Sequence, residues 1–155
     1  MTQWLQRLKP YKTVPVTPWS ATHRWDINIT RASILVFGLF IFGIGDSLLI
    51  VSGLGNAPWS VLAQGLSLNL GISIGRSTLL ISALVLLLWL PLRERPGFGT
   101  IMNILVIAFA IDIGVNFLPR TESFLINLSF VLGGIILVGT GSAIYITCAL
   151  GPGPR

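Results

Sequence analysis

Residues 33–59 read SILVFGLFIFGIGDSLLIVSGLGNAPW, and residues 129–155 read SFVLGGIILVGTGSAIYITCALGPGPR. Set 96 positions apart, the two stretches agree at eight of 27 places: Ser33/Ser129, Gly38/Gly134, Gly43/Gly139, Gly45/Gly141, Ile50/Ile146, Leu54/Leu150, Gly55/Gly151 and Pro58/Pro154. Most of these are residues of close helix packing and of turns. Duplication of such a segment in an apolar chain marks transporter-like membrane folds. The second copy stops where the first turns its corner, so the pattern predicts an architecture built for a longer, C-terminally extended protein.

Working outward, the charges decide the solvent. Hydrophobic residues make up 53% of the 155 and charged residues only 10%, against about 25% charged in a soluble domain. Between Arg31 and Arg76 the only charge is Asp46, and between Arg95 and Arg120 it is Asp112; Arg76 to Arg93 and Ser123 to Pro154 carry none between them. Runs of this kind predict an all-α, multi-pass transmembrane helix bundle, with the lipid bilayer as its first partner. The net charge of +5 belongs to loops and to the N-terminal tail, where it sets orientation and meets anionic lipid, and no nucleic-acid partner is expected.

Residues 1–31 form a polar, basic tail whose prolines oppose a long helix; it is too long and too polar for a secretory signal. Residues 32–155 form the membrane domain, with helices expected at about 32–54, 57–71, 77–92, 100–118 and 124–150. The second is too short to span with confidence. Ser60, Gln64 and Ser67 give it one polar face, so it reads as re-entrant or interfacial. If it does not cross, an N-terminus inside puts eight basic residues on the cytoplasmic side and two outside; if it crosses, the count is seven against three. The first arrangement follows the positive-inside rule better, makes the duplication an inverted one, and puts the N-terminus in the cytoplasm.

Acids inside spanning segments are costly and face the bundle interior or a water-filled cavity. Asp46 lies ~21 Å into the first helix and Asp112 ~18 Å into the third, at 1.5 Å per residue. With both helices running outward, the two carboxylates fall at similar depth, near the Gly53–Pro58 corner, where the N-terminus of the short helix presents its N–H groups. Asn116 lies one turn from Asp112, and Trp59 at the corner can stack on a ligand or anchor at the interface. The candidate ligand-binding residues are Asp46, Asp112, Asn116, Asn56, Trp59 and Gln64, for a proton, a cation or a small amphipathic solute. The competing reading makes each acid a glue between helices.

Catalysis has little support. Gly45-Asp46-Ser47-Leu48 spells the signature of a serine esterase family, but it falls inside an apolar helix and the lone histidine, His23, lies upstream. One cysteine and one histidine cannot build a zinc site, and the glycine fragments do not follow strands. The chain is read as no enzyme, with no metal and no cofactor.

The stretch from Gly53 to Asp112 resembles the bacterial YczE-like membrane proteins of the YczE/YyaS/YitT group. The resemblance is carried by Asp46 to Leu49, Leu54 to Leu66, Gly71 to Gly75, Trp89 to Arg93, Gly97 to Thr100 and Asp112, and by the ending Leu150 to Arg155. It implies an inner-membrane protein of about five spanning segments without a settled activity. It also implies that members continue beyond a GPGPR-like string with an Asp-Gly-Leu stretch and further helices. The leading expectation is therefore a transporter-like protein handling a small solute or ion. A membrane scaffold, a truncated non-functional remnant, and a half-assembly completed by a second copy (a homo-oligomer) stand as alternatives.

Overall fold

The computed structural model describes residues 14–154. Asn28, in extended backbone, accepts a hydrogen bond from the Thr30 N–H. That cap starts α1 (Ile29–Ser52) three residues before the expected Ala32. Gly53 ends α1 in the left-handed region at φ 65°, where a residue without Cβ sits freely. Pro58 opens α2 (Pro58–Leu70) at the helical position that needs no N–H, with Ala57 as its N-cap. The Ser73 hydroxyl accepts from the Arg76 N–H at 3.2 Å and starts α3 (Ile74–Leu92) earlier than the expected residue 77. α3 ends at Leu92 as expected: Pro91 falls in its final turn, and Arg93 closes the helix in a left-handed conformation. α4 (Phe98–Phe117) and α5 (Phe124–Thr147) follow. α5 ends three residues short of Leu150, with Ala149 at φ 55° and Gly151 at φ 117°.

All regular structure among the described residues is helical. Among the described residues four helices, α1, α3, α4 and α5, are long and apolar enough to cross a membrane. α2, with 13 residues, is ~20 Å long, less than the ~30 Å of a hydrocarbon core.

Close contacts between helices give their directions. Gly38 faces Ile144 and Tyr145, while Gly45 faces Leu137 and Val138, so α1 and α5 run antiparallel. Gly43 faces Ala110 and Ser47 faces Gly114, so α1 and α4 run parallel. The short connection 93–97 returns α3 into α4 as an antiparallel pair, with Gly75 against Ala108. α2 therefore begins and ends at the end of the bundle where α1 stops. The core joins α1, α4 and the end of α5 through Leu35, Leu39, Ile50, Ile107, Ile111, Cys148 and Leu150. Large apolar side chains such as Leu84, Leu88, Phe109, Leu132 and Ile136 point outward and are exposed. A membrane solvates such a surface and water does not.

Part of the predicted tail is a strap across the opposite end. Trp19 Nε1 donates to Thr147 Oγ1 at 3.1 Å, Ala21 N donates to Cys148 O at 2.9 Å, and Phe98 N donates to Arg24 O at 3.1 Å. The tail residues 1–13 lie outside the described residues.

Candidate functional site

Asp46 and Asp112 stand at one level. Gly43 opposite Ala110 and Ser47 opposite Gly114 are both pairs 67 positions apart. In that register Asp46 is level with residue 113, one position from Asp112. Asp46 is six residues from the end of α1 and Asp112 five from the end of α4, about 9 and 7.5 Å. The helices approach closely here: a Cβ on Gly114 would lie 1.9 Å from Ser47 Oγ.

Each acid is held by a serine from the α2–α3 segment. Asp46 is buried, 3% exposed. Ser60 Oγ, in the first turn of α2, reaches both of its oxygens at 2.8 and 2.9 Å. Asp112 is half-buried and accepts from Ser73 Oγ at 2.7 Å and from the Gly75 N–H at 2.7 Å. The sequence pointed to the first turn of α2 as the source of backbone N–H groups; for Asp112 they come from the first turn of α3. A carboxylate placed there complements the positive end of the α3 dipole. Only glycine permits the approach, since a Cβ at position 75 would sit 2.5 Å from Asp112 Cγ.

The other candidates divide. Asn56 Nδ2 donates to Gln64 Oε1 at 3.0 Å, which fixes the corner to the face of α2. Asn56 Oδ1 and Trp59 Nε1 are enclosed without a hydrogen-bond partner. Gln64 lines a cleft of about 410 Å³ with Ile50, Val51, Ser67, Ile74 and Arg120. Asn116 is exposed and is not among the partners of Asp112, although it shares that helix. Sequence reasoning missed Ser60, Ser73 and Arg120 as parts of this end. Ser60 was visible on the polar face of α2, and Ser73 carried an N-cap signal, but neither signal names an acid as the partner.

The esterase-like string is accounted for by packing. Ser47 Oγ donates to Ile44 O at 2.7 Å within α1, and the His23 ring bonds Thr22 in the strap.

Four apolar spans, with two carboxylates held inside the bundle by serines, define a polytopic helical membrane protein. A family model described as a family of unknown function (DUF6198) matches residues 29–155, and the chain belongs to that family. It is 45% identical over 147 residues to an uncharacterized protein of Haemophilus influenzae, covering 95% of this chain and 67% of that one. It is 30% identical over 129 residues to the Bacillus subtilis uncharacterized membrane protein YczE, covering 82% and 60%. With the B. subtilis uncharacterized protein YyaS it shares 34% identity over 113 residues, covering 70% and 56%. The likeness to YczE-like membrane proteins read from the motifs is thus confirmed. The chain spans between about half and two thirds of the length of these relatives. No solved structure matches it.

Proposed function

We propose that the protein is a transporter-like component of the bacterial inner membrane that handles a small solute or ion at Asp46 and Asp112. One observation carries the reading: two carboxylates on parallel helices, at one level, each bonded to a serine of the same short segment. A proton or cation that engages either carboxylate competes with the serine hydroxyl, so occupancy is coupled to the position of α2 or of the α3 N-terminus. The unsatisfied Asn56 Oδ1 and Trp59 Nε1 beside this segment supply further polar contacts for a solute. In this reading α2 is re-entrant, and the N-terminus lies in the cytoplasm with the larger share of basic residues.

The test is reconstitution into liposomes loaded with a pH-sensitive dye, with Na⁺, K⁺ and proton gradients imposed in turn. A flux that falls at least tenfold in both Asp46→Asn and Asp112→Asn, with unchanged elution of the purified protein, supports the proposal. Equal flux in wild type and variants overturns it. A second reading is favoured by the internal hydrogen bonds at both acids: a membrane scaffold in which Asp46 and Asp112 only tie helices together. In that case the variants lose thermal stability and no flux exists to be lost.

A further inference from the structure

Whatever the two acids handle, we infer that α5 carries a docking face for one more membrane helix of the same kind as α4, and that the Gly53–Pro58 corner receives the first turn of that helix. At the α1–α5 crossing, Gly45 meets Gly134 and Gly38 meets Gly141. A shift of 96 positions exchanges these two contacts, since Gly134 is the counterpart of Gly38 and Gly141 of Gly45. Contacts in which i meets j′ and j meets i′ are those of a two-fold axis. Both helices have 24 residues. Their exits match as well: Gly53 and Ala149 have φ of 65° and 55°, and Gly55 and Gly151 have 151° and 117°.

The two copies differ in what covers them. On α1, Leu39, Gly43, Ser47 and Ile50 are buried, and a Cβ on Gly43 would lie 2.5 Å from Ala110 Cβ of α4. Their counterparts on α5, Ile135, Gly139, Ala143 and Ile146, are all exposed, and a Cβ on Gly139 meets nothing within 4 Å. At the corners the difference reverses. Leu150 is 1% exposed and a Cβ on Gly151 would lie 3.0–3.2 Å from Gly97 and Thr100 at the start of α4; Leu54 is 48% exposed and Gly55 meets nothing within 4 Å.

One helix, related to α4 by the same two-fold, covers both bare surfaces. It begins at Gly55, runs parallel to α5, and presents a small residue to Gly139 as Ala110 does to Gly43. A second copy of the chain does not offer the small-residue face of its own α4, since Ala110 and Gly114 there are already covered by Gly43 and Ser47 of α1. The relatives have the length for such a helix. Two 96-residue periods counted from Ile29 reach about position 220, and the H. influenzae protein, 67% of which is 147 residues, has about 219. The occupant is therefore a second-half helix of the type encoded in the part of that relative outside the match.

The experiment co-expresses the full chain with a tagged polypeptide comprising that unmatched third of the H. influenzae protein, followed by capture in mild detergent. The wild-type chain is expected to be retained. Gly139→Leu is expected to lower retention at least tenfold without changing the elution or thermal unfolding of the chain alone, because the new side chain enters open space. Leu54→Arg at the corner is expected to act in the same direction. Failure of the wild-type chain to be retained, or equal retention of Gly139→Leu, overturns the inference. So does a homodimer of the chain that Gly139→Leu dissolves, which would assign the face to a second copy.

Discussion

Replacing Gly75 by alanine places a methyl where no atom fits. A Cβ there lies 2.2 Å from the Ala108 carbonyl oxygen and 2.5 Å from Asp112 Cγ. Ordinary contact begins at 3.4 Å, so α3 has to move about 1.2 Å away from α4. The 2.7 Å bond from the Gly75 N–H to Asp112 then stretches towards ~3.9 Å and is lost. Overpacking costs about 1–3 kcal/mol, and the lost hydrogen bond about 1–3 kcal/mol more. Against these stands the better helix propensity of alanine, about 1 kcal/mol. The steric and hydrogen-bond costs dominate, and the net destabilisation is about 1–5 kcal/mol. Gly65→Ala is the matched control: it lies within α2, and a Cβ there meets nothing within 4 Å. That change should be neutral or stabilise by up to about 1 kcal/mol. Equilibrium unfolding in mixed detergent micelles, followed by tryptophan fluorescence, measures both. If Gly75→Ala unfolds at the same midpoint as Gly65→Ala, the contact between the α3 N-terminus and Asp112 does not exist as described.

Other outcomes follow from the same geometry. Ser60→Ala removes the hydroxyl at 2.8 and 2.9 Å from Asp46 and should cost about 1–3 kcal/mol, read in the same unfolding assay; Ser60→Thr should recover most of it. Gly134→Val drives a side chain into Gly45 O, 2.8 Å from the Cβ position, and should abolish the folded, monodisperse species on size-exclusion chromatography, whereas Gly139→Val should not. Asp26 is held below the usual carboxylate range by the Thr22 N–H, then by the Thr22 hydroxyl, with Arg31 contributing. Its lowered value means that its contribution is complete above about pH 4 and is lost as the pH falls through the lowered value. Hydrogen exchange at the Thr22 amide should thus be flat from pH 8 to 5, after correction for intrinsic rates, and should accelerate only in stronger acid.

The membrane character and the helices of this protein were legible residue by residue. Long uncharged runs set the number of spans, and Gly53, Pro58 and Ser73 punctuate them through local backbone chemistry that needs no distant partner. Helix starts were misread where a cap, Asn28 or Ser73, did its work one turn before the apolar run. The depth of Asp46 and Asp112 was also legible, because depth is a count of residues from a helix end. The partners of these acids were not. Ser60 and Ser73 are 14 and 39 positions from the carboxylates they serve, and no local pattern encodes a pairing across helices. Asn116 shows the converse: helical spacing put it one turn from Asp112, yet it faces outward.

The spans are apolar on nearly all sides, because lipid and neighbouring helices are equally greasy, so the sequence lacks the polar stripe that tells the inside of a soluble helix from its outside. From its residues alone this chain determined its solvent, its helices and the level of its two acids. Tertiary structure alone decided the rest: that α4 covers Gly43 and leaves Gly139 bare, and that the α3 N-terminus meets Asp112. The physical reason is that close approach depends on which glycine lies opposite which backbone, a property of two segments at once.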